Sequence, residues 1–185
     1  MVLGDPTDWT ARFISVDERI LGRIVAVWPA CLLVLPGNPS EDAITINLVH
    51  LLSNDAVVRR ICHWVEYQFE PFGFDASGAA FSKGKIDMAI ILDGERARYL
   101  AYECKRLNVT TKSVKGTLAT RYVTEGLLRF VTEQYAETLP VGGMLGYVLD
   151  GDCDAAVTSV HAAIEAEKVK VALLCGPVSI PAIGS

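Results

Sequence analysis

Asp87, Glu103 and Lys105 are the residues whose types and spacing could do chemistry, because a β-hairpin would bring two carboxylates and an ammonium to one face. With 22 acidic residues and 7 Lys in 185, an acid-x-Lys triplet arises by chance about 0.8 times. Glu103-Cys104-Lys105 is the only such triplet in the chain, so its weight rests on context. Lys85 to Leu92 reads as one strand, Asp93-Gly94 as a turn signal, and Arg98 to Lys105 as the returning strand. Period two puts Glu103 and Lys105 on a face with Tyr99 and Ala101, and Asp87 on a face with Ala89 and Ile91. Leu100, Tyr102 and Cys104 point the other way. A hairpin centred on Glu95 pairs Asp87 with Glu103, their Cβ atoms roughly 5 Å apart. Carboxylates that close repel unless a cation lies between them, an arrangement suited to hard, oxygen-seeking Mg²⁺ or Mn²⁺.

Ile86-Asp87 followed by Glu103-Cys104-Lys105 resembles the PD-(D/E)xK superfamily, the restriction-endonuclease-like nucleases, in the spelling Ile-Asp…Glu-x-Lys. The resemblance spans residues 38–150, with Ile86 in place of the Pro that names the family. It implies an α/β fold with an αβββαβ core, a central mixed sheet flanked by helices. It further implies Mg²⁺ (or Mn²⁺) held by Asp87, Glu103 and the backbone carbonyl of Cys104, acting as a Lewis acid in DNA phosphodiester hydrolysis, with RNA also open as substrate. Lys105 would orient the attacking water or stabilise charge developing on the phosphate. Such a domain is expected to work with a partner protein, as a homodimer or within a larger system, in restriction or antiphage defence. The alternative from another class is a nuclease-like fold without catalysis, serving as a nucleic-acid-binding or assembly subunit.

The elements that must position these residues are also legible. Asn38-Pro39-Ser40-Glu41 opens a helix with Asn38 at the N-cap and Pro39 at the first helical position, followed by Ile44, Leu48, Leu51 and Leu52 at helical spacing. Glu41 is either a capping-box residue or, as the resemblance implies, a further approach to the metal. Lys112 to Lys115 reads as a polar loop and Leu118 to Tyr135 as an amphipathic helix burying Val123, Leu127, Phe130 and Val131. Its Tyr122 to Phe130 run resembles the helix that follows the Glu-x-Lys strand in bacterial nuclease-like proteins. Arg121 and Arg129 there are candidate nucleic-acid contacts or ion-pair partners of Glu125. Gly143 to Leu149 reads as a buried strand, Ala155 to Glu167 as a helix and Val169 to Leu174 as a strand. Ser15-x-x-Glu18 would cap an N-terminal helix that Pro29 stops. The expected organisation is one domain over 1–185: a helical extension at 1–36, the core at 38–150, and a helix and strand at 151–185.

Composition sets the remaining bounds. The 51% apolar content supports a full core, the Ala30 to Leu35 run is too short to span a bilayer, and no basic leader opens the chain, so a cytoplasmic protein is expected. Cysteines 31, 62, 104, 153 and 175 form no C-x-x-C pair, His50, His63 and His161 are scattered on expected helices, and Asp150-x-Asp152-x-Asp154 reads as a turn. Cys104 should be a buried thiol facing away from Glu103. The net charge of −5 is unevenly spread: residues 83–121 carry 9 Lys plus Arg against 4 acids, +5, and the rest carry −10. Lys83 and Arg106 flank the motif as candidate contacts to a nucleic-acid backbone.

Overall fold

Ile44, Leu48 and Leu52 recur on one helical stripe and all are 0% exposed, so the segment after Ser40 is held as a helix by burial of that stripe against a sheet. The computed structural model describes residues 6–111, 114–131 and 141–171. In chain order its elements are α1 (Pro6–Val34), α2 (Glu41–Asn54), α3 (Val58–Ile61), β1 (Trp64–Phe69), β2 (Phe72–Phe74), β3 (Ala80–Ser82), β4 (Ile86–Ile91), β5 (Tyr99–Arg106), β6 (Asn108–Thr111) and β7 (Val114–Thr117). A composite helix follows, made of α4 (Ala119–Arg121), a π-helical turn (Tyr122–Leu127) and α5 (Leu128–Val131), and then β8 (Gly142–Tyr147), α6 (Cys153–Ala166) and α7 (Lys168–Val171). Among the described residues, no helix is long and apolar enough to cross a membrane.

The central sheet has the order β1-β4-β5-β8, with β1, β4 and β5 antiparallel and β8 parallel to β5. It is therefore a mixed sheet flanked by helices. Both of its faces are covered, which explains why β4 and β5 are apolar at successive positions rather than alternately. Met88, Ile90, Leu100, Tyr102 and Cys104 pack with Ile20 of α1 and Ile44, Leu48 and Leu52 of α2. Ala89, Ile91, Tyr99 and Ala101 line the other face with Phe69, Ile86 and the ring of Phe130. Each fully buried large aliphatic side chain contributes about 1.5–3 kcal/mol of transfer free energy. Gly142 and Gly143 are where β8 comes close to its neighbours: a Cβ there would lie 2.6 Å from the Phe130 ring and 2.5 Å from the Tyr102 ring.

Several boundaries differ from the sequence expectation. The α2 cap is Ser40, whose Oγ accepts from Ala43 N–H at 3.2 Å, so Asn38 and Pro39 precede the helix. The N-terminal helix starts at Pro6, places Ser15 in its interior and runs on through Pro29. Proline removes one hydrogen bond, here from the carbonyl of the exposed Val25, while Cys31 beyond it is fully buried, and that packing carries the helix forward. The helix is also no appendage, since Phe13, Val16, Ile20 and Cys31 belong to the main core. The expected loop at 112–115 is partly the β7 strand of a β6–β7 hairpin, with 112 and 113 outside the described residues. In β8 only Tyr147 is fully buried, because the strand has one neighbour and three glycines. Residues 168–171 are helical rather than extended, and 172–174, like 132–135 of the expected long helix, lie outside the described residues. His63 sits just before β1 rather than on a helix, donating its N–H to the Ile91 carbonyl.

Candidate active site

Asp93-Gly94 closes the β4–β5 hairpin as expected, with Asp93 Oδ1 accepting from Ala97 N–H at 3.0 Å and Arg96 in the left-handed region at φ 61°. The pairs Met88↔Tyr102 through Ile91↔Tyr99 are equidistant from Glu95. The next positions in this register, beyond the last paired residues, are Asp87 and Glu103. Asp87 Oδ2 accepts the backbone N–H of Cys104 at 2.8 Å, which pins its carboxylate against the returning strand.

Glu41 reaches this end of the sheet from the first turn of α2. With Ser40 capping the helix, the Glu41 carboxylate is free to bridge outward: Oε1 accepts from Lys105 Nζ at 2.9 Å and Oε2 accepts from Arg106 N–H at 2.9 Å. As the first residue after the cap it is not half of a capping box. Lys105 Nζ also donates to the Cys104 carbonyl at 3.1 Å and lies 3.7 Å from Asp87 Oδ2. The ammonium therefore stands among Glu41, Asp87 and the Cys104 carbonyl, three of the four expected metal donors. Burial works against that ammonium, but the Glu41 hydrogen bond and the charges of Asp87, Glu41 and Glu103 outweigh it and hold the Lys105 pKa above its ordinary value.

Glu103 is 0% exposed. Arg129 Nη1 donates to its Oε2 at 3.0 Å, whereas its Oε1 is buried without a hydrogen-bond partner. Burial, reinforced by the Asp87 charge and opposed by Arg129 and Lys105, pushes the Glu103 pKa up to about 7. A buried carboxylate oxygen left without a donor is costly, and it is the kind of atom a cation would satisfy. Cys104 points to the opposite face as expected, fully buried in the main core, and burial pushes its thiol pKa up. Behind it Thr45 Oγ1 and Tyr147 OH lie 3.1 Å apart.

The expected nucleic-acid contacts fare unevenly. Arg106 is committed internally, donating to the Pro39 carbonyl at 2.7 Å and Asn38 Oδ1 at 2.8 Å, so it ties β5 to the chain before α2 instead of projecting. Arg129 turns inward to Glu103 rather than outward or toward Glu125. Arg121 is the residue that pairs with Glu125, at 3.7 Å on an exposed surface. Lys83 sits at the neck of the β2–β3 hairpin, its backbone N–H donating to the Pro71 carbonyl. Asp150 and Asp152 form the expected turn, Asp152 capping α6 through Ala155 N–H.

Sequence reasoning missed the role of Arg129. A buried Glu next to another carboxylate demands a cation, which was the available signal, but the π-helical turn before α5 shifts the phase of the helix and hides which residue supplies it.

The donor set fits a hard cation by chemistry, with carboxylates from Asp87 and Glu103, the Cys104 carbonyl, Glu41 nearby and an unsatisfied Glu103 oxygen. Among the described residues, however, no three Asp, Glu, His or Cys side chains converge as a ready-made metal cluster. Lys105 supplies a positive charge between Glu41 and Asp87, and Arg129 supplies one at Glu103. Comparison with protein-family models, with curated proteins and with solved structures returns no match for this chain.

Proposed function

We propose that the protein is a metal-dependent nuclease acting on DNA phosphodiesters, with a restriction-endonuclease-like core. The observation that carries this reading is the Lys105 ammonium standing among Glu41 Oε1, Asp87 Oδ2 and the Cys104 carbonyl, beside the partnerless Glu103 Oε1. The order α2, β1, β4, β5, composite helix, β8 also supports it, since it follows the αβββαβ succession the motif resemblance implies. Asp87, Glu103 and the Cys104 carbonyl would hold Mg²⁺ or Mn²⁺, with Glu41 as a further donor. A bound cation supplies Lewis-acid polarisation of a phosphate and acidification of a water.

The chain's own residues do the rest. Cys104 N–H fixes the Asp87 carboxylate, and Arg129 holds one oxygen of Glu103 while the other is left without a partner. Lys105, half-buried two residues along from Glu103 on β5, would neutralise charge developing on a phosphate oxygen. Burial lowers the screening of Glu103 most, since Glu41 and Asp87 are partly exposed.

The test is Mg²⁺- or Mn²⁺-dependent cleavage of single- and double-stranded DNA, with cation binding followed by calorimetry. Asp87→Ala should lose both cation binding and cleavage. Absence of cleavage of any DNA or RNA by the unmutated protein, alone or with partner proteins, rejects the nuclease. A second reading, a nuclease-like binding or assembly subunit, is favoured by the same ammonium if it permanently substitutes for the metal. Cation binding that fails to compete with Lys105 would select it.

A further inference from the structure

The β2–β3 hairpin leaves the sheet between β1 and β4, at the end that carries Asp87 and Lys105. Its neck is set by Gln68, which lies opposite Asp87 in the β1–β4 register and adopts a left-handed φ of 52°, sparsely populated for a residue with a side chain. Its tip is rigid. Asp75 Oδ1 accepts from Ser77 N–H and Ala79 N–H, and Asp75 N–H donates to the Ala79 carbonyl. The hairpin's apolar side chains are nevertheless not buried: Phe72 is 69% exposed, Phe74 72% and Phe81 49%. All three rings stand outside the core clusters.

We propose that this hairpin is a base-stacking platform that holds unpaired nucleotides of the substrate strand beside the site. The proposal rests on the reading that the chain acts on nucleic acid and names the strand form it takes. Phe72 and Phe74 are two residues apart on one strand, so their side chains leave the same face about 6.8 Å apart. That is twice the ~3.4 Å spacing of stacked bases, so one base fits between two rings. Phe81 and the Lys83 side chain converge over the opposite face at Gly73, where an added Cβ would meet them at 2.6 Å and 3.0 Å.

Two lysines, Lys83 and Lys85, stand at the base of the hairpin, on the side of Asp87. The hairpin's two acids, Asp75 and Glu70, are exposed, and each accepts a hydrogen bond from a serine hydroxyl of the hairpin, Ser77 and Ser82. Lys85 is exposed two residues before Asp87. A protein-docking surface would be a contiguous apolar patch, whereas these rings are set among Ser77, Gly78, Ser82 and Lys83. Aromatic rings interleaved with cations are what single-strand binding uses, because every base has a π-face.

The experiment measures affinity of the full chain for a fluorescein-labelled oligothymidine and for a blunt duplex in chelator, where no cleavage occurs. Phe72→Ser/Phe74→Ser should weaken oligothymidine binding about tenfold or more and leave duplex binding and circular dichroism unchanged. Phe72→Trp/Phe74→Trp should bind like the unmutated protein, with emission quenched by the oligonucleotide. Lys85→Gln should flatten the salt dependence on single strands by about 0.7 in log–log slope. Unchanged oligothymidine affinity in the Ser variant overturns the proposal. So does a Ser variant that only converts a dimer to a monomer, which would identify a second copy as the occupant. Oligothymidine bound through these rings without any cleavage leaves the platform standing and removes the nuclease. Cleavage unaffected by the Ser variant, with unchanged affinity, does the reverse.

Discussion

Glu103 carries its charge in a place that water does not reach, and its titration is the residue-scale signature of the site. Its ordinary pKa of 4.5 rises to about 7 in the fold, chiefly through burial and then through the neighbouring Asp87. Below pH ~4.5 both folded and unfolded chains hold the proton, and the contribution to stability is complete. Between pH ~4.5 and ~7 the unfolded chain releases it while the fold retains it, so stability falls as pH rises, by on the order of 3 kcal/mol in total. In chelator, thermal melts of the unmutated protein and Glu103→Gln should therefore diverge across this window, the Gln variant gaining relative stability toward neutral pH. Parallel pH profiles for the two proteins would show that the carboxylate is not strained. Asp55 works in the opposite sense: Arg23 at 2.6 Å and the N–H groups of Val57 and Val58 lower its pKa, so its contribution is lost as pH falls. Comparing the Glu103→Gln variant with its parent cancels that background.

At the scale of elements, the β4–β5 hairpin was legible because everything that specifies it is local. Asp93-Gly94 sets the turn, and the turn sets the register that opposes Asp87 to Glu103. What was not legible depends on distant chain. The Trp64–Phe69 edge strand is defined by pairing with β4, Arg129 by a π-helical phase shift, and Ser40 rather than Asn38 by where α2 docks. Two variants probe these ties. Arg129→Leu removes the ion-pair partner of the buried Glu103 carboxylate, so it should push the Glu103 pKa further up and destabilise the protein mainly above pH ~7, where the carboxyl must ionise, with Arg129→Leu/Glu103→Gln recovering much of that loss in denaturant melts. A double variant no more stable than Arg129→Leu would mean that Arg129 acts by packing alone. Arg106→Ala should lower the melting temperature by unfastening β5 from Asn38 and Pro39, with little change in the salt dependence of nucleic-acid binding. A reduced salt slope at unchanged stability would restore it as a phosphate contact.

For the whole molecule, the site lies at one end of a sheet whose two faces are both core, so the charge state of the site is coupled to global unfolding. Lys105 stands between the Glu41 and Asp87 carboxylates, and Arg129 pairs with Glu103, so three negative charges at this end of the sheet are set against two positive ones. Lys105→Ala removes one of these and leaves the carboxylates repelling, so in chelator the variant should melt well below the unmutated protein. It should also bind a divalent cation more readily, because the ammonium no longer competes for Glu41, Asp87 and the Cys104 carbonyl. A ligand at one hundred times its Kd stabilises a fold by about 2.7 kcal/mol, which for a domain of this size is a shift of roughly 5–10 °C. The expected result is a Mn²⁺-induced rise in melting temperature that is larger for Lys105→Ala than for the unmutated protein, absent for Asp87→Ala, and reversed by chelator. If Lys105→Ala is destabilised and Mn²⁺ does not rescue it, the ammonium is a structural counter-ion, and the binding-subunit reading takes the place of the nuclease.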